Sequence, residues 1–244
     1  MTLSTGILYV AFGAEYDKLA AKAVSYSRQF TRQPICVLTN IRQEHRSKEW
    51  PDDVTFKYFD LPQGENRSIK TSMVYYTPFD KTLYLDCDTI ITRSGLGLLM
   101  RKASLIERGK LALCACKYRT KRDTRVIYDE HLKITGAHYP IMDFYGAIIG
   151  FTRSETEFFN TWHNYWKMTG SGREMPALAC AVQNTQQPVN LFPSSTFAYQ
   201  PDDHALIQHE YKDWLQKKLH CEDFEYFKPF DKTKKHDWAV SKQG

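Results

Sequence analysis

The sequence has no apolar run long enough to span a bilayer, and no basic segment followed by an apolar core near its start; its apolar stretches are strand-sized. A soluble, cytoplasmic protein without a membrane span is therefore expected. It also lacks a G-x-G-x-x-G and a Walker A lysine motif, which disfavours dinucleotide-binding and P-loop chemistry. Six cysteines, at 36, 87, 114, 116, 180 and 221, include no C-x-x-C pair, so neither a zinc site nor redox work is indicated. They read as small buried hydrophobes, with Cys114 and Cys116 on one face of a strand. Charge of one sign is scarce as well: 33 Lys and Arg against 28 Asp and Glu leave a formal +5. The basic clusters at 119–122 and 232–235 suit a polyanionic partner, and equally a solvated loop and tail.

What remains is enough for one α/β core. The chain has 244 residues, 42% of them hydrophobic, which a single layered domain can bury without a second domain. Strands are expected at 6–12, 34–39, 54–59, 82–85, 110–116 and 188–192, and helices at 15–30, 66–76, 96–107 and 154–168. In the first helix Leu19, Ala23 and Tyr26 are expected to face inward. The opening β-α-β unit predicts a parallel pair with a right-handed crossover, so the loop at 13–16 lies at the ligand edge. The core is placed at 1–211, and 212–244 reads as a C-terminal helix and basic tail packing on or trailing from the same domain. The charged stretch 117–138 has no clear period and is expected to form a mobile acceptor loop.

The densest signal is Leu83-Tyr84-Leu85-Asp86-Cys87-Asp88-Thr89-Ile90-Ile91. An apolar, β-prone run wants burial, so the Asp-x-Asp at its end sets hard oxygen ligands at the rim of a sheet, where open α/β folds bind nucleotides. Two neighbouring carboxylates repel unless a cation joins them. Oxygen donors of this kind suit Mg²⁺ or Mn²⁺, ions that share their coordination with substrate phosphates. Upstream, Arg67 and Lys70 are three apart on an expected helix and hence on one face, with charges suited to offset a diphosphate.

Arg67-x-x-Lys70, Ser72 through Phe79, and Tyr84-Leu85-Asp86-Cys87-Asp88-Thr89 together resemble the core of the GT-A glycosyltransferases, especially the family 8-like nucleotide-sugar transferases. The likeness runs from Gly6 to about Tyr211. It implies a Rossmann-like single domain, with a mostly parallel central sheet flanked by helices. It also implies a divalent ion, Mn²⁺ or Mg²⁺, on Asp86 and Asp88, and a nucleoside-diphosphate sugar, most commonly a uridine one, as donor. By the same resemblance Ala11, Phe12 and Tyr16 would border the nucleoside, Tyr16 by stacking, while Arg67, Lys70 and Asp86 would meet the donor.

Further along, Asp143-Phe144-Tyr145-Gly146 resembles the segment below the donor sugar. Gly146 would allow close approach and Tyr145 would line the site, while Asp143 would bond sugar hydroxyls. Phe144 and Tyr145 replace the Asn and Ser common there, which leaves the sugar open. Glu174, before Met175-Pro176-Ala177-Leu178, resembles an acidic residue facing the donor sugar or acceptor; a first-turn acid favoured by the helix dipole is the competing reading. Glu174 and Asp143 are the candidate catalytic carboxylates. The apolar segment 205–211 resembles the strand that delivers a late histidine, making His209 the third metal ligand, with His220 and His236 as fallbacks. The acceptor, whether glycan, protein or nucleic acid, is left open. Two other classes stand beside this reading: a sugar-nucleotide nucleotidyltransferase and a basic nucleic-acid-binding protein.

Overall fold

The computed structural model describes residues 4–102, 105–116, 129, 131–136, 143–170, 173–193, 195–198 and 204–209. The first strand, β1 (Thr5–Ala11), is buried on both faces from Gly6 on, which is why it reads as a continuous apolar run instead of an alternating one. It is followed by α1 (Ala14–Ser27), β2 (Ile35–Thr39), β3 (Val54–Tyr58), α2 (Asn66–Thr71), β4 (Lys81–Leu85), β5 (Ile90–Ile91) and α3 (Leu96–Lys102). Then come β6 (Leu111–Ala115), β7 (Phe144–Thr152), α4 (Thr156–Thr169), α5 (Met175–Asn184), β8 (Val189–Leu191), β9 (Phe197–Ala198) and β10 (Ile207–Gln208).

Among the described residues seven strands make the main sheet, in the order β3-β2-β1-β4-β7-β6-β8. Its pairs are parallel except those on either side of β7, which runs against both β4 and β6. The mostly parallel α/β layer is as the sequence leads one to expect. The reversal of β7 matters for function, because it brings the start of β7 to the edge where β1 and β4 end. A second, three-stranded sheet, β5-β10-β9, lies beyond that edge.

Each face of the main sheet has its own core. Ile7, Tyr9, Ala11, Leu83 and Leu85 pack with Ala20 and Val24 of α1 on one side. On the other, Leu8, Val10, Tyr84 and Ile149 pack with Phe158, Phe159 and Trp162 of α4 and Leu178 of α5. Burying each such side chain contributes about 1.5–3 kcal/mol. Phe159 sits 4.8 Å from Phe151 and 5.7 Å from Trp162, ring to ring, in tilted pairs that add to area burial. Helix 154–168 is thus a core helix, starting two residues late.

Several boundaries differ from the sequence reading, each with a local cause. α1 ends at Ser27, not 30, and its fully buried line is Ala20, Ala21, Ala23, Val24 and Ser27, with Leu19 and Tyr26 half-buried beside Ile90. The helix expected over 66–76 breaks after Thr71, whose hydroxyl bonds back to the carbonyls of Arg67 and Ser68, a competition that bends helices; a 3₁₀ turn, Met73–Tyr75, follows. α3 is shorter than 96–107, and Ile106 turns into the core instead. The late strand is only Ile207–Gln208. Cys36, Cys87, Cys114 and Cys180 are buried and Cys116 is half-buried. No helix among the described residues is long and apolar enough to cross a membrane. The tail at 212–244, His220, His236, Cys221 and most of 117–138 lie outside the described residues.

Candidate active site

The site is built where β1 and β4 end and β7 begins. β4 stops at Leu85 because the chain turns: the Thr89 amide donates to the Asp86 carbonyl at 3.1 Å, and the Thr89 hydroxyl donates to the same oxygen. The Asp86 amide donates to the Ala147 carbonyl at 3.0 Å, which pins the turn to β7. Asp86 and Asp88 therefore converge across a tight turn, not along a straight strand.

On one side of Asp86 lies a buried charge network. The Lys70 ammonium, 5% exposed, donates to Asp86 Oδ1 at 2.9 Å and to Glu174 Oε1 at 2.5 Å. Arg67 reaches the other oxygen of Glu174 at 3.4 Å. Arg67 and Lys70 do share a face, as their spacing requires. Burial alone would push the Glu174 carboxyl up, but Lys70, then Arg67, overcome it and hold the acid down at about 2. Burial likewise opposes charge on Lys70, and Asp86 and Glu174 override it, raising the ammonium above its ordinary range.

Glu174 occupies the position before α5, yet its side chain makes no capping bond; it turns to Lys70 instead. Its carbonyl accepts from the Trp162 indole at 3.0 Å and from the Leu178 amide at 3.0 Å, so α4 and α5 together fix it. Gly146 explains how the pair fits against β7: a Cβ there would sit 3.2 Å from Glu174 Oε1 and 3.5 Å from Lys70 Nζ. The close approach that this glycine allows is thus to the ion pair.

On the other side of Asp86 lies a second cluster. β10 pairs antiparallel with β5, Gln208 opposite Ile90, so the next residue, His209, comes level with the Asp86–Thr89 turn. Its Nε2 is 3.3 Å from Asp88 Oδ1. Asp86, Asp88 and His209 each offer a ligand atom, all within 4.8 Å of one another. Two carboxylates and an imidazole form a donor set that fits Mn²⁺ or Mg²⁺. The His209 amide donates to the Ala198 carbonyl at 2.9 Å, and its ring lies 5.9 Å from that of Phe197. The Gln208 amide, fully buried, donates to the carbonyls of Ala198 and His209.

The remaining expected residues divide. Tyr16 is half-buried on α1, and its phenol is pushed up by burial first, with Cys87, Asp88 and Asp86 adding to the rise and Arg67 opposing; it borders the site. Ala11 and Phe12 are fully buried, Phe12 against Phe59 at 6.0 Å. Next to them Gly13 adopts φ 94°, and a Cβ there would strike the Gln63 side chain. The Gly13 amide donates to Asn40, which in turn donates to the Leu61 carbonyl. Tyr145 packs its ring 5.2 Å from Phe197, behind His209. Asp143 is not among the partners of Lys70, Asp86 or Glu174; its carbonyl accepts from the Cys116 amide, and its charge, after burial, helps raise the Cys180 thiol to about 12.

The sequence reading passed over Tyr84 and Gln208. Tyr84 donates its hydroxyl to Asp86 Oδ1 at 2.5 Å, and its ring lies 5.1 Å below the Lys70 ammonium. Its position two residues before Asp86, on the same side of β4, was the available signal.

No family model and no curated sequence matches the chain. Solved structures do. The apo bifunctional glycosyltransferase WbbM superposes with a TM-score of 0.56 at 13% identity, covering 86% of this chain; the chain spans 46% of WbbM. The galactosyltransferase LgtC in complex with donor and acceptor sugar analogs gives 0.55 at 13% identity, covering 84% of this chain and 86% of that one. An active-site mutant of LgtC gives 0.55 at 14% identity over the same shares. At such identity the likeness speaks for the fold, and the fold is GT-A.

Proposed function

We propose that this protein is a metal-dependent glycosyltransferase that moves a sugar from a nucleoside-diphosphate donor, a uridine one, to an acceptor hydroxyl. The observation that carries the reading is the placement of Asp86, Asp88 and His209 beside the Arg67–Lys70–Glu174 network at one sheet edge. That LgtC, which shares the fold, has been seen with donor and acceptor sugar analogs agrees with it.

Asp86, Asp88 and His209 would hold the ion. Bound there, a divalent ion supplies neutralisation of the charge that grows on a departing diphosphate. The chain's own residues do the rest. Arg67, 40% exposed at the mouth of the network, would donate to phosphate oxygens of the donor. Lys70 is buried and already shared by two carboxylates; its charge acts from behind Asp86, toward the same developing charge. Tyr16 borders the cleft, where its ring can stack on a flat ligand.

Glu174 has a narrower role than a general base. A carboxylate held down at about 2 takes a proton poorly at neutral pH. Glu174 therefore stabilises positive charge on the sugar and accepts hydrogen bonds from its hydroxyls. For Asp143, which immediately precedes β7, the proposed part is that of a hydrogen-bond acceptor for sugar hydroxyls.

The test is to incubate the protein and Mn²⁺ with UDP-, GDP- and dTDP-sugars and follow nucleoside-diphosphate release, with and without simple glycan acceptors. Release from a UDP-sugar that stops on chelation and in Asp88→Asn is the expected result. No release from any donor, with any acceptor, would contradict the proposal.

A further inference from the structure

We infer that Tyr84 is a positioning residue for the metal site: with Lys70 it occupies one oxygen of Asp86, so that the carboxylate meets a cation through the other oxygen alone. This rests on the metal-dependent reading above.

The argument begins with geometry. Tyr84 is 2% exposed and packs its ring in the core between the sheet and α4. Packing would be served as well by phenylalanine, since a buried hydroxyl adds a polar group that must find a partner. Here the partner is Asp86 Oδ1, at 2.5 Å. The Lys70 ammonium takes the same oxygen at 2.9 Å. A carboxylate oxygen has room for about two donors, so Oδ1 is satisfied from the protein side. Among the described residues Oδ2 of Asp86 accepts no hydrogen bond, the side chain is 29% exposed, and a carboxylate oxygen of Asp86 lies within 4.8 Å of ligand atoms of Asp88 and His209.

Two consequences follow. The Asp86 carboxylate is oriented before any ion arrives, by donors on two different elements, β4 and α2. It is also held for single-oxygen coordination, which suits the compact octahedral shell of Mg²⁺ or Mn²⁺ better than Ca²⁺, an ion that readily takes carboxylates through both oxygens. The hydroxyl of Tyr84 thus acts on affinity and on ion choice, through Asp86, without touching the ion or the substrate.

The experiment compares Tyr84→Phe with wild type on the full chain, by titrating Mn²⁺ with detection of free Mn²⁺ by electron paramagnetic resonance, then by competing it with Ca²⁺. Thermal melting in chelator checks the fold. The expected result is a folded variant that binds Mn²⁺ about tenfold more weakly, in the range seen when a partner of a metal ligand is removed, with a smaller preference for Mn²⁺ over Ca²⁺. Unchanged Mn²⁺ affinity and preference in the variant would overturn the inference and leave the metal reading standing. A variant that fails to fold would overturn it too, because the hydroxyl would then serve stability. Absence of Mn²⁺ binding to wild type would remove the metal reading and this inference together.

Discussion

Two clusters meet at Asp86 and differ in how complete they are. The Arg67–Glu174–Lys70 side is mostly buried and internally matched: each buried charge has an opposite charge against it. The Asp88–His209 side is more open, with Asp88 35% exposed, and sets two carboxylates of like charge within reach of one imidazole. The first is a finished piece of protein architecture, whereas the second is the one that holds the cation in the proposed reading. Asp86 belongs to both, which ties the ion's site to the residue that faces the sugar in the proposed reaction.

The comparison breaks most visibly at Lys70. Lys70→Met leaves Asp86 and Glu174 without their shared cation, and removing one partner of a buried ionic set costs about 3–5 kcal/mol. Urea denaturation at pH 7 should show a loss of that size, far above what an exposed pair such as Lys110–Glu107 contributes, about 0.2–1 kcal/mol. A loss below that surface value would mean that the buried network is not matched in the way described.

Glu174→Gln sharpens the comparison through pH. The folded carboxyl lies at about 2 against a usual 4.5, so its contribution is fully present above 4.5 and is lost as pH falls toward 2. That contribution is at most about 3 kcal/mol. Wild type should therefore lose stability on acidification from pH 5 to pH 3 more steeply than Glu174→Gln, measured by denaturation midpoints at each pH. Parallel acid limbs would contradict the assignment of that depressed acid to Glu174.

The sequence made much of this legible, for physical reasons. Strands buried on both faces, such as 6–12 and 34–39, announce themselves as apolar runs, and the turn after β4 announces itself by carboxylates where none should be buried. Arg67 and Lys70 were readable as one face of a helix. That Lys70 is buried between two carboxylates was not, because its partners come from β4 and the start of α5, and Glu174 is 104 residues away. The break after Thr71 hid behind good helical spacing, since a side-chain hydroxyl bonding its own helix leaves no periodic trace. The shortness of β10 was hidden as well: an apolar run longer than the strand it forms gave no sign of where pairing stops. Asp143 and Glu174 read alike in one dimension; that Glu174 meets Lys70 and Arg67 while the Asp143 carbonyl accepts from the Cys116 amide is visible only in three dimensions.

The central claim is that Asp86, Asp88 and His209 together bind a cation, and the most direct test is thermal stability of wild type and Asp88→Asn with and without Mn²⁺ and UDP, GDP or dTDP. Selective binding to the folded state raises its melting temperature. The account predicts that in chelator Asp88→Asn melts close to wild type or slightly above it, since a like charge has been removed, and that Mn²⁺ with UDP stabilises wild type but not the variant. A wild type that melts at the same temperature with and without Mn²⁺ and every nucleotide would contradict it.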